Sequence, residues 1–503
     1  MWNRAALQDL LWSDRGPTHG RDSLKKALRE LRGSLNQHGR PVLETTGGPV
    51  ALDMTRIEAD IFQIDIAEAV NAPGGQEFLA GLDVRDPEFE EWLRATRIAL
   101  REQPSQQRAV VTEDTVQRHR LHLAVMPSQT VQSDIDAQLF GDMLLDRLIF
   151  ALRHYDIYRV CDYRQSEQTG AAGADFSLSM TIRTFGECFV ACLKCVRVSD
   201  NEVVWGRQLQ LPTNGFDSIS LGALITDSLD QISEAVFRGR ALGTNERDRA
   251  ARHAMDGIDR IFRLTEPELT QAAKSLRKAV ELDPRSTYFA WFAYLSAFEL
   301  EAKQGRNRKE LLEKTEALAR RALEMDRFNP LTRSLLTHVY GFLFRDFSRA
   351  GSLIAPLQST PPDLPIYYQS LALLNFYKGN IAEAQKAAKQ SSALGGSSRY
   401  AYWFETTRVI AETGAGNFSK AITLGENAIS LQQSRPVIFS ATLRYLAAAY
   451  ALKGDIPAAK RVVGMIKAQN PNFSVAQLTE RNFPIPSENA RSLILSGLRA
   501  VGE

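Results

Sequence analysis

Leucines recur at helical spacing near the beginning of the chain. They follow one another at i, i+4, i+7 and i+11, and therefore predict a helix over residues 21–36 with one narrow apolar stripe. These leucines are Leu24, Leu28, Leu31 and Leu35. Directly afterwards, two short apolar runs at 41–43 and 49–52 flank Gly47 and Gly48, a pattern typical of a β-hairpin. The beginning of the chain is therefore expected to form a helix followed by a hairpin.

Between residues 120 and 240 the apolar positions alternate with polar ones, which is typical of strands. Five segments are predicted as strands: Leu121–Ser128, Ile157–Cys161, Phe176–Thr184, Cys188–Val198 and Val203–Leu211. Two segments with helical periodicity, Ala137–Tyr155 and Ile219–Phe237, precede the second strand and follow the last. The sequence therefore predicts an α/β module in this region.

From about residue 247 the pattern is almost entirely helical and contains an internal repeat. The repeat reads glycine, asparagine or aspartate, a large apolar residue, two variable positions and alanine. It begins at Gly379, Gly416 and Gly454, which are 37 and 38 residues apart. Glycine ends one helix without a Cβ penalty, the polar residue caps the next, and alanine allows close packing. The pattern resembles the tetratricopeptide repeat, which implies roughly six helical hairpins stacked into a superhelix with a concave groove.

Charge is distributed unevenly along the chain. Lys and Arg number 61 and Asp and Glu 59, so the net charge of +2 excludes a uniformly basic nucleic-acid coat protein. Between positions 15 and 40, however, seven basic residues accompany only two acidic ones. Lys25, Arg29 and Arg32 form a stripe beside the leucines. Two interpretations stay open: cations that meet phosphate while the leucines dock the helix, or an ordinary surface helix with solvated charges.

Two motif blocks in about the first 105 residues resemble bacterial transcription regulators of the SARP family. The segment Leu10-Leu11-Trp12-Ser13-Asp14, followed by residues 23–32, is similar to their OmpR-type winged helix. Residues 76–102, including Asp86-Pro87-Glu88-Phe89, resemble the transcriptional activation domain that follows it. The resemblance implies a basic helix in the major groove of DNA and a hairpin that contacts the DNA backbone. Relative to that family, the winged helix is expected to be N-terminally incomplete.

The middle region resembles a TolB-N-like α/β module, through Leu123–Pro127, Gly173–Phe176 and Val203–Arg207. The expected fold class is multidomain and mostly α, with a partial winged helix, then an α/β module, then a tetratricopeptide-like α-solenoid. The expected boundaries are 1–53 for the winged-helix-like head, 54–104 for the activation-domain-like segment, 105–119 for a linker, 120–240 for the α/β module, 247–473 for the helical repeats and 474–503 for a C-terminal capping segment.

No pattern in the sequence predicts catalysis, a cofactor or a metal site. Cys188, Cys192 and Cys195 have the spacing of cluster ligands, but a strand would place the third on the opposite face from the other two. They are interpreted as small apolar strand residues, with a redox-responsive thiol pair as the alternative. His119 and His122 have no third partner and are interpreted as structural rather than metal-binding. Phosphate-binding-loop, His-Glu-x-x-His and nucleophile-elbow motifs are absent.

Together these patterns predict a DNA-binding transcriptional regulator. The residues expected to contact DNA are Arg21, Lys25, Lys26, Arg29, Arg32, Thr45 and Thr46, the two threonines lying at the hairpin tip. The repeats are expected to receive a protein or peptide signal. Five aromatic residues that begin repeat helices either line such a groove or pack between repeats: Tyr367, Tyr368, Tyr400, Tyr402 and Trp403.

Three further expectations concern partners and location. Only four cysteines, no signal-peptide core and no run of about 18 apolar residues predict a cytoplasmic protein without a membrane partner. Homo-oligomerisation stays open.

The alternative function is a non-catalytic interaction scaffold with a vestigial DNA-binding head. A third hypothesis is an enzyme subunit, because similar middle and tail modules follow cyclase domains.

Overall fold

A computed structural model describes residues 4–13, 16–35, 43–44, 50–52, 79, 84, 86–101, 121–130, 134–164, 173–213, 218–238, 246–302, 308–477 and 488–501. The chain divides into two compact units, Met1–Thr112 and Glu113–Glu503, here called the N-terminal and C-terminal units. Most of the described chain is helical, and the C-terminal unit contains a mixed sheet. None of the helices in these ranges combines the length and apolar character that a membrane crossing requires.

The N-terminal unit contains three described helices and a short hairpin. They are α1 (Arg4–Leu11), α2 (Pro17–Leu35), β1 (Leu43–Glu44), β2 (Ala51–Leu52) and α3 (Pro87–Arg101). Helix α2 begins earlier than predicted, at Pro17, because proline is well suited to a first helical turn. The strands pair antiparallel, as expected for the hairpin.

The apolar stripe of α2 docks through only part of its length. Leu24 and Leu28 are buried with Leu43 and Val50 in a small core. Leu31 is 47% exposed, so the prediction that it docks with the other leucines is wrong.

Six strands of the C-terminal unit form one mixed sheet. They are β3 (Leu121–Val125), β4 (Gln129–Thr130), β5 (Tyr158–Asp162), β6 (Phe176–Phe185), β7 (Cys188–Arg197) and β8 (Val203–Pro212). The order is β5-β3-β6-β7-β8, with β4 paired to β6. Strands β5 and β6 run parallel to β3, whereas β7 and β8 continue the sheet antiparallel. The five predicted strands are confirmed to within three residues at each end, and β4 is an additional short strand.

One face of this sheet is buried beneath two helices, α4 (Ile135–His154) and α5 (Ser218–Arg238). Strand β7 shows the period-two alternation, because Phe189, Ala191, Leu193 and Cys195 are buried in the same core as the helices. Cys188 and Cys192 lie on the other face, as predicted. Burial raises the pKa of the Cys195 thiol to about 12, so this thiol stays protonated at neutral pH.

Twelve described α-helices follow between residues 246 and 469. They are α6 (Glu246–Ile261), α7 (Glu266–Leu282), α8 (Ser286–Ala302), α9 (Arg308–Met325), α10 (Pro330–Val339), α11 (Phe347–Ile354), α12 (Pro365–Lys378), α13 (Ile381–Gly395), α14 (Ala401–Gly414), α15 (Phe418–Ser430), α16 (Ser440–Lys453) and α17 (Ile456–Gln469). Each even-numbered helix packs against the next one as a hairpin, and successive even-numbered helices also contact each other. Two further helices, α18 (Val475–Gln477) and α19 (Glu488–Arg499), follow, and α19 packs against α16 and α14.

The repeat motif has the local geometry that its glycines predict. Gly379, Gly416 and Gly454 have φ angles of 82°, 77° and 95°, in the left-handed region that glycine occupies without strain. The motif alanines that begin the following helices are fully buried: Ala384, Ala421 and Ala459. Close helix packing at these positions is therefore confirmed.

The expected capping by the polar motif residue is only partly correct. Asp455 accepts a hydrogen bond from the backbone N–H of Ala458 at 3.0 Å. Asn380 and Asn417 occupy the cap positions of α13 and α15 without a side-chain capping bond. Their amides instead donate to the preceding helix, for example from Asn417 to Glu412 at 2.7 Å.

Candidate functional site

Helix α2 separates its apolar and basic side chains onto two faces. Leu24 and Leu28, at 5% and 7% exposure, pack against the hairpin. The five basic residues predicted to contact DNA are all exposed on this helix: Arg21, Lys25, Lys26, Arg29 and Arg32. All of these except Lys26 recur every three or four residues, so they form one stripe about 16 Å long, at 1.5 Å per residue. We call it the basic stripe.

The remaining two predicted DNA contacts cannot be placed beside this stripe. Thr45 and Thr46 lie outside the described residues, between β1 and β2. The described ends of the hairpin are in register, with Leu43 opposite Leu52 and Glu44 opposite Ala51. Contacts of the two threonines with DNA therefore stay predictions.

A buried carboxylate connects the two motif blocks of the N-terminal unit. Asp86, only 2% exposed, accepts hydrogen bonds from the backbone N–H and the hydroxyl of Ser13 at 2.5 and 2.8 Å. It also accepts from the backbone N–H of Glu88 at the start of α3. Burial opposes ionisation of Asp86, but these hydrogen bonds lower its pKa. The Asp-Pro pair signals a helix start, whereas the partner 73 residues away has no signal in the sequence.

A second candidate site is a cavity of about 360 Å³ in the C-terminal unit, a volume within the range of small-molecule sites. One wall is helix α5, which contributes Asp227, Asp230 and Glu234. These residues are three and four positions apart and therefore share one helix face. The facing wall is the turn between α13 and α14, which contributes Ser397–Tyr400. We call this space the acid-lined cavity.

Aromatic side chains, together with aliphatic ones, form the apolar part of the cavity lining. They come from the α/β module and from the first and later helices of the repeat region: Tyr155, Phe262, Tyr288, Trp291, Tyr400 and Phe404. The rings of Phe262 and Tyr400 lie 4.3 Å apart between centroids, and Trp291 meets Phe262 edge-on at 6.2 Å. The cavity thus combines a rigid apolar lining with one charged wall.

The single guanidinium in the lining, that of Arg399, is held by neighbouring groups. Its Nη1 lies 3.2 Å from Asp259, which also pairs with Arg263 at 2.8 Å. The hydroxyl of Tyr400 donates to the same Asp259, and the Arg399 guanidinium lies 5.0 Å from the centre of the Tyr400 ring. Arg399 is therefore fixed at the edge of the cavity by a carboxylate and an aromatic face.

Asp230 is the most strongly perturbed acid of this wall. Its pKa is raised to about 6, mainly by burial and in smaller part by the negative charges of Asp227 and Glu234, while a hydrogen bond with Ser398 and the charge of Arg399 lower it. Asp227 itself is paired with Arg207 at 2.5 Å. A carboxyl group in a cavity whose pKa is raised in this way is typical of functional sites, and ion-pair networks produce such shifts too.

The described residues offer little for metal or thiol chemistry. No group of three or more His, Cys, Asp or Glu in these ranges is arranged to hold a metal ion. His122 Nδ1 lies 3.1 Å from the backbone oxygen of Gly173, in a structural contact, and His119 lies outside the described residues. All four cysteines are free thiols: Cys161, Cys188, Cys192 and Cys195.

Three of the five aromatic residues at the starts of the repeat helices pack between helices, and lining of a peptide groove by any of them stays a prediction. Tyr367, Tyr402 and Trp403 are buried in the packing between helices. Tyr400 lines the acid-lined cavity, where its hydroxyl contacts Asp259. The spacing of the acids on α5 could have suggested a shared helix face, but the sequence contained no sign of the opposite wall.

The comparisons with known proteins add no relative. The chain matches no protein-family model, and no curated protein sequence matches it significantly. The function is therefore argued from the residues of the two candidate sites.

Proposed function

We propose that this chain is a DNA-binding transcriptional regulator whose N-terminal unit contacts DNA through α2. The observation that supports the proposal is the basic stripe. Its cations face solvent on a stripe that neighbours Leu24 and Leu28, and these two leucines hold the helix against the small core. A helix held in this way can enter the major groove, which admits an α-helix, without losing its docking contacts.

In this proposal Lys25, Arg29 and Arg32 contact phosphate and groove edges, and Arg21 and Lys26 contact the flanking backbone. Phosphate contacts position a protein on the duplex, whereas only contacts with base edges select sequence. Arginine is suited to the second task, because its planar fork binds guanine with two hydrogen bonds. Thr45 and Thr46 in the hairpin are proposed as additional backbone contacts.

The C-terminal unit is proposed to be a tetratricopeptide-like solenoid that receives a protein or peptide signal. The left-handed glycines and buried alanines of its helical hairpins support this part. A cytoplasmic location is part of the proposal, and the four free cysteines favour it because reducing compartments keep thiols unpaired. We propose no catalytic role. The same hairpins support the alternative, an interaction scaffold whose head does not bind DNA.

The test is binding of the full-length chain to a labelled duplex from its own upstream region, across a salt series. Binding should weaken steeply with salt, because each neutralised phosphate contributes about 0.9 to the slope of log K against log salt. The triple variant Lys25→Ala/Arg29→Ala/Arg32→Ala should bind at least tenfold more weakly at about 100 mM salt. It should also lower the slope by about 2–3.

The matched control removes three exposed cations from α9, in the variant Lys309→Ala/Arg320→Ala/Arg321→Ala. This variant has the same change in net charge and should keep the wild-type slope. Equal losses in both triple variants would mean that only overall charge matters. No binding by the wild type at low salt would favour the scaffold.

A further inference from the structure

The acid-lined cavity has a chemical character that DNA binding does not use. Its lining contains three carboxylates, Asp227, Asp230 and Glu234, but one guanidinium, Arg399. That guanidinium is shared with Asp259, which lies against it at 3.2 Å. Asp227 is itself paired with Arg207, so Asp230 and Glu234 give the lining its excess of negative charge, on a wall beside aromatic rings.

We propose that the acid-lined cavity binds a small organic cation, an amine with an aromatic or alkyl body. The ammonium group would lie beside Asp230 on α5, and the apolar body would pack among Phe262, Trp291 and Tyr400. Aromatic faces attract cations, and a neighbouring carboxylate supplies the charge partner. The proposal concerns the C-terminal unit and does not depend on whether the N-terminal unit binds DNA.

The lining disfavours other classes of small ligand. An anion would meet the carboxylates of Asp230 and Glu234, and its natural partner, Arg399, is already engaged by Asp259 and by the ring of Tyr400. A neutral apolar molecule would fill the aromatic part but would exclude water from the charged groups beside it, which is unfavourable. A bare divalent ion would lie against the apolar side chains that form most of the lining, whereas such ions require a shell of oxygen ligands.

The pH dependence of binding follows from the same wall. An amine favours the ionised form of Asp230, whose pKa burial raises to about 6. The groups that face this carboxyl are Asp227 and Glu234 on its own helix, Ser398, Arg399 and Tyr400 on the opposite turn, and Tyr155 after α4. Affinity for the amine should therefore increase between pH 5 and pH 7.5, as Asp230 loses its proton.

The test is isothermal titration calorimetry of the full-length chain with tryptamine, phenethylamine and octylamine at pH 7.5. The neutral 3-methylindole and the anionic indole-3-propionate have a comparable apolar body and serve as ligand controls. At least one amine should bind, and at least tenfold more tightly than 3-methylindole, while indole-3-propionate should not bind measurably. Asp230→Asn should weaken amine binding at least fivefold and remove its increase between pH 5 and 7.5.

The matched control variant is Glu383→Gln, which removes an exposed carboxylate from α13 outside the cavity. It should bind the amines like the wild type, and thermal melts should show that both variants are folded. Three outcomes would overturn the proposal: no amine binds at millimolar concentration, the anion binds as well as the amines, or Asp230→Asn leaves amine affinity unchanged. Binding of a basic peptide with no binding of the amines would overturn it too.

Discussion

Helices α2 and α5 are of similar length, 19 and 21 residues, yet they place their charged side chains in opposite environments. The cations of α2 extend into solvent, whereas the acids of α5 face an enclosed space beside aromatic rings. Exposed charges act at long range and are screened within about 10 Å at 0.1 M salt. Enclosed charges are screened less by salt. Burial shifts their pKa values and changes the free energy of folding. The first arrangement is suited to a polyanion, and the second to one small ligand.

The largest expected difference in stability between removing an enclosed charge and removing an exposed one concerns Arg285. This side chain is 6% exposed, and it donates to Asp283 at 2.6 Å and to the backbone oxygen of Asp156. Arg285→Met should lower the free energy of unfolding of the C-terminal unit by about 3–5 kcal/mol, because it removes the buried donor from two part-buried acceptors. Arg29→Met, on the exposed stripe, should change stability by less than about 0.5 kcal/mol. Urea denaturation followed by circular dichroism measures both, and similar costs would contradict the comparison.

The next largest effect on stability is expected from substitutions on the apolar face of α2. Leu28→Ala should destabilise the N-terminal unit by about 2–4 kcal/mol, since Leu28 is buried against Leu43 and Val50. Leu31→Ala, at a position 47% exposed, should cost less than about 1 kcal/mol. Hydrogen exchange in α2, followed by mass spectrometry, separates the two variants. Equal loss of protection would show that the helix docks through its whole leucine stripe.

Substitution of Asp230, the enclosed acid of α5, should stabilise the folded protein rather than destabilise it. The folded form binds the Asp230 proton more tightly than the unfolded chain, because its pKa is raised from 3.8 to about 6. Stability contributed by this group is therefore present below about pH 4 and is lost as pH rises to about 6. Asp230→Asn should raise the free energy of unfolding by about 1–3 kcal/mol at pH 8 and by almost nothing at pH 4. A pKa shift of one unit corresponds to about 1.4 kcal/mol.

Thermal melts at pH 4, 6 and 8 test this prediction, with Glu383→Gln as the control that should change stability little at any of these pH values. An Asp230→Asn variant less stable than the wild type at pH 8 would show that Ser398 and Arg399 outweigh the burial of the carboxyl. Salt concentration should affect the result only slightly, because the group is enclosed.

Local sequence patterns predicted the elements of this chain well, but not their long-range contacts. Strand β7 follows from alternation over Cys188–Arg197, and the helix end at Gly454 follows from glycine's tolerance of positive φ. The pairing of Asp86 with Ser13 and the wall formed by Ser398 and Arg399 opposite Asp230 depend on segments far apart in the chain. No local pattern encodes such long-range contacts, because they depend on how the helices pack against one another.

Some failures were local and have simple physical causes. Leu31 continues the spacing of the leucines and is nevertheless 47% exposed, because the spacing does not record which positions a neighbouring element covers. At position 345 the chain adopts the left-handed conformation, with φ of 56°, although arginine stands there instead of glycine. A π-helical turn, Tyr340–Phe344, precedes it and replaces the regular helix end. Tertiary packing thus imposed on this hairpin a turn that its own residues disfavour.

The smallest expected effect on stability comes from a substitution in the basic stripe, whose charges are exposed, unlike that of Asp230. Arg21, Lys25 and Arg29 repeat at i and i+4, where like charges repel by a few tenths of a kcal/mol. Lys25→Glu would replace two repulsive pairs with attractive ones and place glutamate N-terminal to Arg29, the favourable order. It should stabilise α2 by about 0.5 kcal/mol at 50 mM salt, and by almost nothing at 0.5 M salt, because the charges are screened. The same variant should weaken DNA binding at low salt.

Hydrogen exchange in α2 at the two salt concentrations measures this effect. The matched control is Lys309→Glu on α9, where the exposed Lys309 lies 3.9 Å from Glu313 at i and i+4. That substitution should destabilise α9 by about 0.3–0.5 kcal/mol, again only at low salt. A stabilisation by Lys25→Glu that persists at 0.5 M salt would mean that the stripe is not solvated. The basic stripe would then resemble the enclosed wall of α5, and its availability to a polyanion would be in question.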